Sequence, residues 1–145
     1  MSKVNIQIDG MEELFADLKR LGAISKEAVV DTINDLAMDT QAEAIRGIQR
    51  GPASGRTYKR GTVTHTASAA GQYPMSDSGR LAANVDRTVA STSKPQSEVG
   101  TNIIYGPYLE FGTSKMAARP WLMPSFIKAA KGIETELKAK LEGKL

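Results

Sequence analysis

The chain has 145 residues, 41% of them hydrophobic and 24% charged, enough for one hydrophobic core and too few for two. With no cysteine and a single histidine, His65, it excludes disulfide frameworks, thiolate metal sites, cysteine nucleophiles and any centre built on paired imidazoles. Its net charge of +3 is uneven: residues 1–49 carry five basic and nine acidic side chains, residues 50–80 five and one, residues 81–145 nine and six.

Read in chain order, Val4, Ile6 and Ile8 alternate with polar residues and predict a short strand with one buried face. Asp9 followed by Glu12 resembles a capping box, and Met11, Leu14, Phe15, Leu18 and Leu21 recur at helical spacing until Gly22, predicting a first helix over residues 10–21. Ser25 is a candidate N-cap for a second, longer helix whose apolar stripe is Val29, Ile33, Leu36, Ala37, Thr40, Ala44 and Ile48. Residues 50–80 are rich in Gly, Ser, Thr and Pro and read as a long basic loop, with loose alternation over 56–66 that allows a β-hairpin. Beyond it the pattern predicts a helical turn at 78–81 and a strand with Val85, Arg87 and Val89 on one face. A turn at Lys94-Pro95 and a strand over 97–101 then complete a hairpin, in one small sheet that also takes in the N-terminal strand. Pro107 and Gly112 bracket a single helical turn, and Pro120 and Pro124 precede a final helix carrying Phe126, Ala130, Ile133, Leu137 and Leu141. Lys138, Lys140 and Lys144 complement its C-terminal dipole end. The expected fold is a single α+β domain over residues 1–145, its N-terminal helices and C-terminal helix packed on a small antiparallel sheet, with an extended loop or arm at 50–80.

The catalytic inventory is thin. His65 sits among threonines in the loop, where nothing promises the rigid placement a base needs. Ser76 and Ser78 flank Asp77 without a nucleophile elbow, and Gly51, Gly55 and Gly61 match no phosphate-binding spacing. Glu12 and Glu13 read as N-terminal helix charges. No catalytic residue, cofactor or metal site is therefore expected, and no enzyme activity. No apolar run reaches the roughly 18 residues of a membrane span, and no signal-peptide core is present, so a soluble protein made in the cytoplasm is expected.

The basic segment has three readings. Arg50, Arg56, Lys59 and Arg60, interleaved with Tyr58, suit phosphate contacts and base stacking, which makes a non-specific nucleic-acid module one reading. A solvated loop is another. The third is an arm that reaches an acidic surface on an identical neighbour, and residues 1–49 supply such a surface. Further on, Tyr105, Tyr108, Phe111 and Trp121 are four of the eight aromatics, gathered around Pro107 and Pro120, and predict a local hydrophobic core. Glu110 lies among them and needs solvent or a partner, with Arg119 and Arg80 the candidates.

The stretch Tyr105-Gly106-Pro107-Tyr108-Leu109-Glu110-Phe111-Gly112-Thr113, followed after a short gap by Arg119-Pro120-Trp121-Leu122-Met123-Pro124-Ser125-Phe126, resembles the signature of small tail-component proteins of long-tailed lambdoid bacteriophages. That family's pattern reads approximately YAxYxEFGT, then RPFLxPA. Upstream, Ser68-Ala69-Ala70-Gly71-Gln72-Tyr73-Pro74 and Asp77-Ser78-Gly79-Arg80-Leu81 are similar to its SAPGxxP and D[ST]G.L elements. Gly106 stands where the pattern has Ala, Trp121 where Phe is commoner and Ala70 where Pro is frequent. The resemblance implies a structural virion protein of the head-to-tail junction, a tail-completion or neck protein made in the bacterial host cytoplasm. It implies assembly as a ring, a hexamer, against connector or head-closure and tail-tube or terminator proteins, with DNA passing through the lumen unread and no membrane partner. It also implies a structural signature at Gly79, Leu81, Tyr105, Tyr108, Glu110, Phe111, Gly112, Arg119, Pro120, Trp121 and Pro124.

Overall fold

The computed structural model describes residues 23–143; the strand and first helix expected before residue 22, and Lys144, lie outside the described residues. The described elements are α1 (Ala23–Gln49), β1 (Thr57–Arg60), β2 (Val63–Thr66), a 3-10 turn (Ala82–Asn84), β3 (Val85–Arg87), β4 (Val99–Thr101), α2 (Gly106–Phe111), α3 (Met123–Ala129) and α4 (Ile133–Gly143). The mixture is α+β, as the sequence predicts. Among the described residues the strands make two antiparallel pairs, the loop hairpin β1–β2 and the predicted hairpin β3–β4; the N-terminal strand expected beside the second lies outside the described residues.

Helix α1 has 27 residues, about 40 Å of axis, and its predicted stripe is the spine of the fold. Its described range already includes Ser25, which is therefore a position inside the helix and not its N-cap. Val29, Ile33, Leu36, Ala37, Ala44 and Ile48 are buried, and the two buried threonines on this face, Thr32 and Thr40, return their hydroxyls to the carbonyls of Ala28 (2.8 Å) and Leu36 (2.7 Å). The interior falls into two clusters. Ala37, Ala44 and Ile48 meet Leu81, Val85, Val99, Ile103, Trp121 and Leu122, whereas Val29, Val30, Ile33 and Ala90 meet Leu137 and Leu141 of α4.

Two polar side chains of α1, seven residues and so about two turns apart, hold the β3 segment. Asn34 exchanges two hydrogen bonds with the backbone of Ala90, donating from Nδ2 to its carbonyl (3.2 Å) and accepting its N–H at Oδ1 (2.8 Å). Gln41 donates to the Val85 carbonyl (2.7 Å) and accepts from Arg87 Nε (3.1 Å). The β3–β4 hairpin pairs Val85 with Thr101 and Arg87 with Val99, closed through a Ser91–Lys94 turn. Its second strand is shorter than the predicted 97–101. Val89 falls beyond β3 and is exposed, not on the buried face, because the last cross-strand backbone bond is made one residue earlier, from the Thr88 N–H to the Glu98 carbonyl (2.9 Å).

The final helix is broken. Gly132 takes φ +81° and separates α3 from α4, although the apolar period runs through the break unchanged. Lys140 ties α4 back to α1 through Asp35 and pairs with Glu136 one turn earlier. Burial opposes its charge, but hydrogen bonds and attraction from those two carboxylates outweigh it, and the pKa is raised. A lysine held at a higher pKa folded than unfolded stabilises in full below its ordinary range and loses that contribution as pH rises through the raised value. Lys140→Met is therefore expected to lower stability by up to about 1 kcal/mol at neutral pH, with the gap to wild type closing in strongly alkaline solution; paired thermal melts at both pH values check it.

Candidate functional site

Three of the stretches singled out in the sequence fold into one unit. Pro107 opens α2 and Gly112, at φ +74°, ends it. This short helix aims Glu110, 8% exposed, at the start of α3. One carboxylate oxygen of Glu110 accepts the backbone N–H groups of Trp121 and Leu122 (both 2.8 Å), and the other accepts that of Met123 (3.0 Å). The three donors are unpaired amides at a helix N-terminus, where a carboxylate is the favoured partner. Glu110 is thus partnered by backbone, not by Arg119 or Arg80 as its sequence surroundings suggest, because consecutive amides offer a tighter set of donors than one guanidinium.

Trp121 is fully buried and donates its indole Nε1–H to the Gly106 carbonyl (3.1 Å). Pro124 occupies the first turn of α3, and buried Ser125 donates to the Trp121 carbonyl (2.6 Å). The stretch at 68–74 joins the same unit. Arg119 donates Nε to the Ser68 carbonyl (3.1 Å), the Gly71 N–H reaches the Ala118 carbonyl (2.8 Å), and the Tyr73 hydroxyl shares a hydrogen bond with Ser125 Oγ (3.0 Å). Tyr73 lies against α1 at Gly47, where a Cβ would come 2.1 Å from its ring. Gly79 takes φ +74° and leads into Leu81, which is buried in the core.

Two buried serines here differ in a testable way. Ser68 Oγ is the one buried side-chain N or O without a hydrogen-bond partner among the described residues, whereas Ser125 Oγ has two partners. Ser68→Ala is expected to leave the melting temperature unchanged or slightly raised, and Ser125→Ala to cost about 1–2 kcal/mol by stranding buried groups. Differential scanning fluorimetry of the two variants separates the cases.

The aromatic group does not form the expected local core. Trp121 alone is buried; Tyr105 and Tyr108 are exposed and Phe111 is 74% exposed, as is Ile104 just before α2. Clamped at Glu110 and Gly106, α2 turns this apolar edge outward. The physical reason is that a helix of six residues has one inward face, and Glu110 and Leu109 occupy it.

Residues 50–80 are not a structureless loop: β1 and β2 form a hairpin turned at Gly61 (φ +64°), with Tyr58 opposite His65 in edge-to-face contact. Arg50, Arg56, Lys59 and Arg60 are exposed, and Tyr58 is 40% exposed. Arg60 pairs with Asp77 (2.5 Å), and His65 Nδ1 lies 3.7 Å from the other oxygen of the same carboxylate, so the hairpin is pinned to the following loop. Between the hairpin and α2 lies a cleft of about 690 Å³, lined by Tyr58, His65, Arg80, Tyr105, Tyr108 and Arg119 among others. The structure therefore brings members of both predicted sets, the arm and the signature, to one surface. Arg50, Arg56 and Lys59 are not among the residues lining it. Sequence reading missed the cleft, and the one signal for it was that two segments far apart in the chain each hold tyrosines and arginine.

Among the described residues no cluster of metal-ligating side chains occurs, and no helix is long and apolar enough to cross a membrane. In comparisons with known proteins, no family model, no curated protein and no solved structure matched the chain.

Proposed function

We propose that this chain is a non-catalytic structural protein of a phage virion, a tail-completion or neck component that assembles as a ring at the head-to-tail junction. The observation that carries the reading is the coupling of the two signature stretches through Glu110, whose carboxylate holds Trp121, Leu122 and Met123 while α2 presents Ile104, Tyr108 and Phe111 to the outside. A rigidly held apolar edge on a small chain suits a part whose work is joining surfaces. Copies of the chain, a hexamer in this reading, would enclose a lumen for DNA, with connector or head-closure proteins on one side and tail-tube or terminator proteins on the other. Electron microscopy of the purified protein, or of virions labelled for it, is expected to show rotationally symmetric rings at the neck. A strict monomer indifferent to tail and connector preparations would falsify the reading.

A second reading rests on the exposed bases of the hairpin, Arg56, Lys59 and Arg60, which suit non-specific contact with nucleic acid. It requires that affinity for duplex or single-stranded DNA fall several-fold as salt doubles and that charge reversal at Arg56 and Lys59 remove it.

A further inference from the structure

We infer that the cleft between the β1–β2 hairpin and α2 receives the acidic flank of α1 from a second copy of the chain, so that the ring contact runs head to tail. The inference rests on the reading above in that the chain self-associates, and goes further by assigning both halves of the contact.

The acceptor half is basic and aromatic. Arg80 has no side-chain partner among the described residues, and Arg119 spends only Nε on the Ser68 carbonyl, leaving its terminal nitrogens for an incoming acceptor. Tyr105 and Tyr108 form an amphipathic wall beside them. Guanidinium groups beside tyrosine rings are the side chains that anchor protein interfaces, and their natural counterpart is a carboxylate with an apolar neighbour.

The donor half is on α1. Glu27, Asp31, Asp35, Asp39 and Glu43 recur at every fourth residue and so form one continuous ridge along the helix. Asp35 is held by Lys140, and Glu43 by Arg46 and Lys128. Asp39 is exposed and has no side-chain partner among the described residues, and its neighbour Met38 is 48% exposed. This pair offers a carboxylate with an apolar neighbour, the complement to Arg80, Arg119 and the two tyrosines.

The two halves cannot meet within one chain. Ile48, on α1, lines the cleft. Asp39 precedes it by nine residues, about two and a half helical turns, so it sits about 14 Å along the axis and on the opposite side of the helix. A cleft on one side and its complement on the other make a heterologous contact, the kind that closes into a ring when the rotation permits. Asp77 stands in the cleft wall against Arg60 and His65, so the guanidinium groups left for an incoming carboxylate are those of Arg80 and Arg119.

The full-length protein tests this with two exposed reversals, Arg80→Glu and Asp39→Lys, followed by sedimentation velocity alone and with tail or connector preparations. Each single variant is expected to reduce assembled species at least tenfold, and the double variant to recover them. Because the chain has no native cysteine, Met38→Cys with Tyr108→Cys supplies an independent readout: oxidation should give a ladder of disulfide-linked oligomers. Rings that form regardless of either reversal, without a ladder, would overturn the inference and leave the ring reading standing. No self-association under any condition would overturn both. An Arg80→Glu variant that assembles normally but loses salt-sensitive binding to a DNA oligonucleotide would assign the cleft to nucleic acid and overturn the proposal.

Discussion

Glu110→Ala is expected to be among the most damaging substitutions in the protein, lowering stability by about 3–5 kcal/mol, a large share of the roughly 5–15 kcal/mol of a typical domain. Three backbone N–H groups lose a charged acceptor at once, and the adjoining Trp121 and Leu122 are fully buried, so water cannot simply replace it. Glu110→Gln should cost less, because its one carbonyl oxygen can serve Trp121 and Leu122 while its amide nitrogen faces the Met123 N–H. Trp121 is the sole tryptophan, so its fluorescence in urea titrations reports the region directly. The expected order of midpoints is wild type, then Gln, then Ala. An Ala variant within 1 kcal/mol of wild type would show that the amides find other acceptors and that the clamp is dispensable.

The carboxylate also shows what a sequence conceals. Glu110 stood out as a charge among apolar residues, but backbone amides leave no side-chain signature, so only arginines suggested themselves as partners. Helix α1 was legible because its stripe keeps the 3.6-residue period for many turns, and α2 because Pro107 and Gly112 have conformational preferences that mark its ends. The β1–β2 hairpin showed as alternation around Gly61, which takes the positive φ that such a turn uses. The break at Gly132 was hidden by the uninterrupted spacing from Phe126 to Leu141, since a lone glycine is tolerated within a helical pattern. Asn34 and Gln41 read as ordinary polar positions beside an apolar stripe, yet they satisfy the backbone of Val85 and Ala90.

The candidate site was legible as two lists and not as one surface. Arg80 and Arg119 lie 39 positions apart, and neither the cleft between the hairpin and α2 nor the outward turn of Tyr108 and Phe111 follows from spacing. Both depend on which face of a very short helix Glu110 claims. The acidic ridge of α1 was present in the sequence as a four-residue repeat of charge, but its use requires knowing that Ile48 and Asp39 look in opposite directions.

Trp121 and Gly106 provide the second large effect. Trp121→Ala is expected to cost about 3–5 kcal/mol, from a large cavity at a fully buried position together with loss of the hydrogen bond to the Gly106 carbonyl. Trp121→Phe keeps a ring but strands that carbonyl, and about 1–3 kcal/mol is expected. Gly106 is the other side of the same fit: a Cβ there would lie 2.5 Å from Thr101 Cγ2 and 3.7 Å from the indole. Gly106→Ala should therefore destabilise by about 1–3 kcal/mol through overpacking, although Ala is the better helix former. The nearer clash is with the threonine methyl, not the indole. Thr101→Ser removes that methyl and keeps the hydroxyl that accepts the Ile103 N–H (3.2 Å), so it should restore most of the loss in a Gly106→Ala background. Trp121→Phe in the same background should not. Thermal melts of the two double variants decide between them, and rescue by Phe with none by Ser would place the steric conflict at the indole.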